Sequence, residues 1–426
     1  MKAKYRVALV IMVCYLVAWL DRMCISMAIP FMMKDLEFSA TAAGSIMGAF
    51  FLTYSLFQMP GGIMSDKIGP RKVISGALVW WSAFTAFTGM VSSLTNILIV
   101  RFLFGIGEGV FPAPVWKTIG NWFNKKERAT ANSVILSTVA LGPAITPIIM
   151  APIIANFGWR AAFYILGAAG FLCALLAWRY LSDTPRQCRD ISPKELAEYE
   201  AERAAEAATG DTKLAKASLG QLLASPIIWV LFTVWLTLTI AMYGYMTWLP
   251  TYLMKVRGLS LMSAGVAASI PFFFAAIGTG ISGWIMDKFF MNNGKVLIII
   301  AELLGAFFLY QFFNVADNTA AQIYQCIAAF FLWMALGAFW SVAVLVIPEH
   351  LMGSGSGFVN TGGQFGGFIA PIAIGFMIDY FGGNYASGFN VLIGSTILSA
   401  AIVALFLNNR KPESTPATRS AVYQPS

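Results

Sequence analysis

Long apolar stretches follow one another along almost the whole chain, separated by short polar segments. A helix that crosses a bilayer needs about 20 mostly apolar residues. Proline and glycine inside such stretches, as in GQFGGFIAPIAIG, are tolerated because neighbouring helices satisfy the freed backbone groups. The pattern predicts an all-α integral membrane protein with twelve spans, near residues 8–30, 42–64, 73–93, 97–119, 129–155, 160–181, 226–250, 262–286, 295–315, 320–346, 354–378 and 386–408.

One long polar stretch interrupts this pattern between the sixth and seventh spans. Ser192, Pro193 and Glu195 within it have the order of a capping box with proline at the first helical position, so we expect a surface helix of about four turns. The stretch divides the chain into four parts. These are an N-terminal six-helix bundle (1–182), a linker (183–225), a C-terminal six-helix bundle (226–410) and a tail (411–426).

Lysine and arginine residues are concentrated on one side of the predicted membrane. They occur in the N-terminal tail, in the loops after spans two and four, in the linker and in the C-terminal tail. The opposite loops hold only Lys34, Arg160, Lys255 and Arg257. By the positive-inside rule, both termini and the linker are expected in the cytoplasm of a cell whose inner (plasma) membrane holds the protein. The same distribution explains the net charge of +8 without a nucleic-acid partner.

Composition excludes several other classes of protein. Of the 426 residues, 58% are hydrophobic and 11% charged, against roughly 25% charged in soluble domains, so lipid is the expected solvent. The five cysteines form no CxxC pair and the chain has one histidine, which disfavours a disulfide framework, a metal site or a membrane-embedded enzyme. No Walker A motif is present, and we expect no cofactor. The first 20 residues resemble a signal peptide, but their apolar run is too long and lacks a cleavage site.

The two halves of the chain repeat one another. GGIMSDKIGPRKV after span two corresponds to SGWIMDKFFMNNGKV after span eight, and LGPAITPIIMAPIIANFG corresponds to FGGFIAPIAIGFMIDYFG. Pro147 then aligns with Pro371, and Gly158 with Gly382. Two parallel six-helix halves related by an axis along the membrane normal are a known transporter plan, with the substrate site between them near the midplane.

GGIMSDKIGPRK resembles the signature loop of the major facilitator superfamily, and the resemblance covers essentially the whole chain. A finer resemblance is to the anion:cation symporter branch, which includes bacterial galactonate, glucarate and hexuronate transporters. It rests on LDR in span one, FLTYSLFQMPGG in span two, RFLFGIGEG in span four and YGYMTWLPTYL in span seven, although MCIS after LDR departs from the branch's commoner ANLS. The resemblance implies two pseudo-symmetric six-helix bundles and proton- or cation-driven movement of an organic anion.

Four charged residues lie deep inside spans one and four, where each charge costs several kcal/mol unless it is paired or faces water. They are Asp21 and Arg22 in span one, and Arg101 and Glu108 in span four; the latter two are two turns apart on one helix face. We expect Arg22 to bind the substrate carboxylate bidentately and Glu108 to be the principal proton site. Asp21 and Arg101 are expected to form a second titratable pair, and Arg101 also to serve the substrate. The alternative is a static ion pair that joins the two helices.

Neutral polar and aromatic residues in other spans are candidates to contact the rest of the substrate. Tyr54, Tyr243, Asn360 and Gln364 are the favoured ones, and Gln58, Tyr245, Trp248, Thr361, Trp340 and Ser341 are weaker candidates. For Gln58 the alternative is a packing hydrogen bond, and for Trp248 an interfacial position. The strongest buried charges all lie in the first half, and the candidates in the second half are neutral polar and aromatic groups, an asymmetry that suits a sugar acid.

Charged residues near the membrane surfaces have other expected roles. Asp66, Lys67, Arg71 and Asp287 belong to the signature loops and are expected to form a conformational gate on the cytoplasmic side. Glu302 in span nine is expected to be structural or interfacial, and His350 to make a gate or loop contact.

These observations favour a monomeric secondary active transporter that carries a sugar acid, such as a hexonate, hexuronate or aldarate, into the cytoplasm with protons by alternating access. Sodium in place of the proton stays open. The alternatives are a symporter of an aromatic acid or small dicarboxylate, a proton-coupled drug antiporter, and a transporter-like sensor.

Overall fold

A computed structural model describes residues 2–208, 219–290, 293–347 and 351–407, and within these ranges every long element is a helix. His350 and the tail 411–426 lie outside the described residues. The first half contains α1 (Ala3–Asp35), α2 (Ala40–Ile68), α3 (Pro70–Thr88), α4 (Leu94–Val110), α5 (Pro112–Trp122) and α6 (Lys125–Tyr180). The linker contains α7 (Pro193–Ala208) and α8 (Leu219–Leu223). The second half contains α9 (Pro226–Lys255), α10 (Leu261–Ile285), α11 (Gly294–Asn314), α12 (Asn318–Val346), α13 (Met352–Tyr380) and α14 (Tyr385–Phe406).

The predicted number of twelve spans is confirmed. Ten segments of the described residues are long and apolar enough to cross a membrane, and α4 and α5 together form one of them. The 19-residue α3, which packs against α4 and α6, supplies the eleventh helix of the twelve-helix fold. The twelfth arises because the long α6 is two helices that meet at Gly158, whose φ of 77° lies in the left-handed region that glycine tolerates.

The helices extend beyond the predicted apolar stretches because their first turns are capped by polar side chains outside the lipid-facing segment. Ser39, Ser93 and Ser260 each accept a hydrogen bond from the backbone N–H three residues further on, at the start of α2, α4 and α10. In the linker, the Glu195 N–H donates to Ser192 Oγ at 3.2 Å. The predicted start of the linker helix is therefore confirmed.

The linker helix α7 is fastened to the first turn of α1. The carboxylate of Glu195 accepts hydrogen bonds from the backbone N–H groups of Ala3 at 3.1 Å and Lys4 at 3.3 Å, donors that the helix itself leaves unsatisfied. Lys2 forms an ion pair with Glu198 at 2.8 Å, which lowers the pKa of the Glu198 carboxyl. We call this end of the molecule the linker face, and the opposite end, where α1 ends and α2 begins, the far face.

The two six-helix bundles touch most closely near the far face, where glycines allow backbone to meet backbone. A Cβ atom on Gly44 of α2 would overlap the carbonyl oxygen of Pro371 in α13, and one on Gly375 would overlap the carbonyl oxygen of Ala40. On the other side of the interface, a Cβ on Gly265 of α10 would lie 2.8 Å from the Pro147 carbonyl oxygen in α6. The far face is therefore closed in this structure.

Candidate functional site

A cavity of about 420 Å³ lies between the two bundles. Its wall is built from α1, α2, α5 and α6 of the first half and from α9, α12 and α13 of the second half. The exposed side chains of Trp116, Leu136 and Val139 belong to it, and all three lie in the parts of their helices that approach the linker face. Because the far face is closed by the glycine contacts, the cavity opens toward the linker face.

Arg22 and Glu108 form an ion pair at the wall of this cavity. Arg22 Nε donates to Glu108 Oε2 at 2.5 Å, and the side chains are 11% and 1% exposed, respectively. The guanidinium carbon of Arg22 lies 4.4 Å from the ring centroid of Tyr54 and 5.0 Å from that of Trp19. Arg22 therefore lines the cavity between aromatic rings, with Glu108 buried behind it.

The predicted ion pair between Asp21 and Arg101 is not formed, and that expectation is corrected. Both carboxylate oxygens of Asp21 are buried without a hydrogen-bond partner among the described residues, and so is Nε of Arg101. Arg101 packs its guanidinium 4.5 Å from the ring centroid of Phe104 and is not among the described residues that line the cavity. The reason is that consecutive helical residues point about 100° apart. With Arg22 facing the cavity, Asp21 turns into the first bundle, within electrostatic range of Arg101 and Glu108.

The second half supplies the neutral polar groups that the sequence predicted. Tyr243, Trp340, Asn360 and Gln364 line the cavity from the second half. Gln58 lines it from α2 of the first half. The ring of Tyr243 lies 4.5 Å from that of Phe51, so α9 contacts α2 of the other half at this point. Tyr54, Tyr243 and Gln364 thus surround the cavity near Arg22.

Other weaker candidates are not brought into the cavity. Trp248 is fully buried, and its Nε1 donates to the Pro371 carbonyl at 3.1 Å, so both the substrate interpretation and the interfacial one are wrong. Tyr245 is fully buried outside the cavity wall. The hydroxyls of Thr361 and Ser341 donate to carbonyls four residues earlier in their own helices.

Several lining residues were missed by the sequence analysis, and these are mainly aromatic and aliphatic side chains. They are Tyr15, Trp19, Pro112, Trp116, Leu136, Val139, Trp235, Thr239, Met242, Met246, Trp333 and Leu336. Spacing could have found two of them, because Trp19 and Tyr15 precede Arg22 by three and seven residues and share its helix face. For the others, hydropathy does not distinguish a cavity-facing tryptophan or leucine from a lipid-facing one.

The predicted gate residues lie at the linker face. Lys117 of α5 pairs with Asp66 of α2 at 2.7 Å. The Arg71 guanidinium donates to the Trp178 carbonyl, and its backbone N–H donates to Asp183 Oδ1 at 2.8 Å. These contacts join helices of the first half to each other and to the segment after α6. Lys67 and Asp287 are exposed.

At the far face, a contact that the sequence analysis missed joins the two halves. The carboxylate of Asp379, at the end of α13, accepts hydrogen bonds from the backbone N–H groups of Ala40 at 3.1 Å and Thr41 at 2.7 Å. It also accepts one from the Thr41 hydroxyl at 2.6 Å. An acid is favoured at this position because it meets the positive end of the α2 dipole.

Glu302 is fully buried between α11 and α14, away from the cavity. Its Oε1 accepts a hydrogen bond from Ser399 Oγ at 2.5 Å, while Oε2 has no partner among the described residues. This position agrees with the structural role expected for it.

The fold has twelve membrane helices in two pseudo-symmetric bundles, and the cavity between them is closed at one face. This architecture is that of a membrane transporter that alternates between two openings. Residues 11–371 match the Major Facilitator Superfamily, and the chain belongs to this family. The resemblance to that family is confirmed, and so is the prediction that the protein is a transporter rather than an enzyme.

Curated relatives are similar over nearly the whole chain. A probable sulfoacetate transporter of Cupriavidus necator is 28% identical, covering 96% of this chain and 94% of its own. A hexuronate transporter of Bacillus subtilis is 28% identical over 99% of both chains, and a probable L-galactonate transporter of Escherichia coli is 27% identical over 93% and 87%. These relatives agree with the finer resemblance to organic-anion symporters.

Solved structures share the fold. A bacterial homolog of the human lysosomal transporter Spinster, in an inward-facing and occupied conformation, superposes with a TM-score of 0.76 at 20% identity, covering 96% of this chain and 98% of that chain. A D-xylose–proton symporter superposes with a TM-score of 0.72 at 16% identity, over 96% and 99%.

Proposed function

We propose that the protein carries an organic anion into the cytoplasm together with protons. The observation that carries this proposal is the ion pair between Arg22 and Glu108, which places a cation at the wall of the cavity and an acid behind it. The names of the relatives, which are transporters of hexuronate, L-galactonate and sulfoacetate, support an organic acid as the substrate.

Arg22 is the anion-binding group in this proposal. It is the one cation among the described residues that line the cavity. A guanidinium presents five N–H donors in a planar fork, and one Nε–H is directed at Glu108, so other donors are available to a carboxylate or sulfonate. Tyr54 and Trp19 pack against the guanidinium and hold its plane in place.

Glu108 couples the proton to the anion by local electrostatics. When the cavity is empty, Glu108 neutralises Arg22. When an anion binds Arg22, two negative groups compete for one cation in a region of low dielectric constant, where an uncompensated charge is costly. Protonation of Glu108 removes this conflict, so anion and proton bind together. Asp21 and Arg101, both buried nearby, form the second part of this charged cluster.

Rocking of the two bundles about the cavity completes the transport cycle. The clustering of lysine and arginine at the linker face supports a cytoplasmic position for this face by the positive-inside rule, with both termini and α7 on that side of the inner membrane. The structure then corresponds to the inward-open state. Asp66, Lys67, Arg71 and Asp287 would hold the linker face in the opposite state. All lining groups come from one chain, so we infer that a monomer suffices.

The proposal is tested by ligand-dependent thermal stabilisation of the purified protein. A ligand that binds the native state stabilises it by mass action. We expect a set of organic acids to stabilise the wild type more at about pH 5.5 than at about pH 7.5, and to have no effect on Arg22→Ala. Stabilisation by lipophilic cations and not by acids would instead support the drug-antiporter alternative.

A further inference from the structure

Six polar side chains of the cavity wall lie on α1, α2, α9 and α13. Arg22, Tyr54, Gln58 and Tyr243 belong to α1, α2 and α9, and Asn360 and Gln364 follow on α13. Tyr54 lies against the Arg22 guanidinium, and Tyr243 lies beside Gln364. We call this group of six residues the polar pole.

The remaining wall is apolar and rich in rings. Leu136 and Val139 of α6 belong to it, together with Trp116 of α5 and Leu336 of α12. The other members are Tyr15, Pro112, Trp235, Met242, Met246, Trp333 and Trp340, and Trp19 lies at the boundary, beside Arg22. Two hydroxyls belong to this part of the wall among the described residues. Thr239 Oγ1 donates to the carbonyls of Trp235 and Leu236 within its own helix, and Tyr15 packs its ring 4.9 Å from that of Phe111. We call this part of the wall the apolar pole.

We propose, on the basis of the anion transport argued above, that the substrate is an organic acid with a single acidic head and an apolar, ring-bearing body such as an arylcarboxylate. The acidic head binds Arg22 at the polar pole. The ring packs against the tryptophans and aliphatic side chains of the apolar pole. A hexonate carries hydroxyls along its whole length, and those directed at Leu136, Val139 or Leu336 would lose their hydrogen bonds to water.

The factor by which the apolar pole discriminates against hydroxylated acids can be predicted. An apolar pocket rejects one added hydroxyl by up to about 100-fold, because the buried hydroxyl finds no hydrogen-bond partner there. Aromatic side chains favour a flat ring through offset or edge-to-face packing. The inference therefore departs from the sugar acid that the sequence predicted and selects the aromatic-acid alternative.

The number of cations supports a single acidic head. A second carboxylate, as in an aldarate or a small dicarboxylate, would meet no further cation among the described lining residues. Arg101 is 2% exposed and lies behind the wall. A dianion would thus leave one charge without a partner in a region of low dielectric constant.

The test measures binding of phenylacetate, gluconate, glucuronate and galactarate to the full-length protein. Binding is followed by thermal stabilisation in detergent and by competition of the four acids with one another in proteoliposomes. We expect phenylacetate to bind the wild type at least about tenfold more tightly than gluconate or glucuronate, and galactarate to bind most weakly. Val139→Gln places an amide in the apolar pole. It should lower the ratio of phenylacetate affinity to gluconate affinity by about tenfold. Leu336→Gln is the second variant, with the same expected direction.

Leu141→Gln is the matched control. Leu141 lies on the same helix and is 40% exposed, as is Val139, but it is not part of the cavity wall. The control should leave the preference unchanged. Tighter binding of gluconate, glucuronate or galactarate than of phenylacetate, with loss of all binding in Arg22→Ala, would overturn this inference and leave the anion transport standing. Binding of none of the four acids, or acid binding that is unchanged in Arg22→Ala, would overturn both.

Discussion

Asp379 accepts three hydrogen bonds from the first turn of α2, and Thr41 provides two of them through its backbone N–H and its hydroxyl. The two residues are 338 positions apart and belong to different bundles. The contact lies where the backbones of α2 and α13 meet at Gly44 and Gly375. Opening of the far face must therefore break it.

We predict that Asp379→Asn shifts the protein toward the state with an open far face. The substitution removes the negative charge from the start of α2 and weakens the hydrogen bonds, which should alter the equilibrium by about 1–2 kcal/mol, or roughly tenfold. The measurement is the labelling rate of Met47→Cys by a membrane-impermeant thiol reagent added from the far side. Met47 is buried in the first half of α2 in the closed form.

Asp317→Asn is the control for this prediction. Asp317 is an acid that caps α12 by accepting a hydrogen bond from the Ala320 N–H, and among the described residues its carboxylate has no hydrogen bond to another helix. Its substitution should leave the labelling rate unchanged. Equal rates in the two variants would show that Asp379 stabilises α2 without controlling the opening.

We predict that Glu108→Gln abolishes uptake driven by a pH gradient and preserves exchange of substrate across the membrane. The amide cannot take up a proton, so binding of the anion no longer requires one. Uptake should fall at least about 100-fold in proteoliposomes with an imposed pH gradient, whereas counterflow continues. Glu302→Gln is the matched control, because Glu302 is a buried acid outside the cavity. This variant should retain both uptake and exchange. Intact gradient-driven uptake in Glu108→Gln would remove the coupling role of this residue.

Arginine-to-lysine substitutions separate the roles of Arg22 and Arg101. Arg22→Lys keeps the charge but loses the planar fork and the packing against Tyr54, so we expect anion affinity to fall about 10- to 100-fold. Arg101→Lys should lower thermal stability through lost packing on Phe104 and change affinity by less than about threefold. Ligand titrations on both purified variants measure the difference. An equal loss of affinity would restore the substrate role that the sequence predicted for Arg101.

We predict that Gly44→Ala prevents closure of the far face and stops uptake. The added methyl would overlap the Pro371 carbonyl, and main-chain atoms on both sides leave little freedom to move. The control is Gly280→Ala in α10, where a Cβ meets nothing within 4 Å and where alanine stabilises a helix by up to about 1 kcal/mol. Uptake assays and far-side labelling of Met47→Cys report the effect. Normal uptake by Gly44→Ala would mean that full contact between α2 and α13 is not required for transport.

Much of the fold could be predicted because it depends on one-dimensional patterns. Runs of apolar residues give the spans, Ser192 with Glu195 gives the linker helix, and Gly158 marks the break between two spans. The predictions that failed are those of side-chain positions that depend on the rotation of each helix about its axis. Around Asp21 and Arg22 all neighbours are apolar, so the sequence does not show which of the two charges faces the cavity. For the same reason Trp248 was assigned to a wall that it does not reach.

Contacts between segments that are distant in the chain were also beyond prediction from the sequence. An acid at the end of an apolar run, such as Asp379, does not reveal that the first turn of α2 is its partner. The predicted cavity residues Tyr54, Tyr243, Asn360 and Gln364 lie on its wall, but their gathering at one pole results from packing of α2, α9 and α13. The amphipathic shape of the cavity is thus a tertiary property.

The fastening of α7 to the first turn of α1 provides an external reporter of the transport cycle. Through Glu195 and Glu198 the linker helix is bound to the N-terminal bundle, so we expect it to rotate with that bundle as one body. A fluorophore at the exposed Ala201 would follow this rotation from the aqueous phase, far from the cavity and from the lipid. Paired with a second dye at the exposed end of α14, it would read the rocking angle of single molecules during turnover.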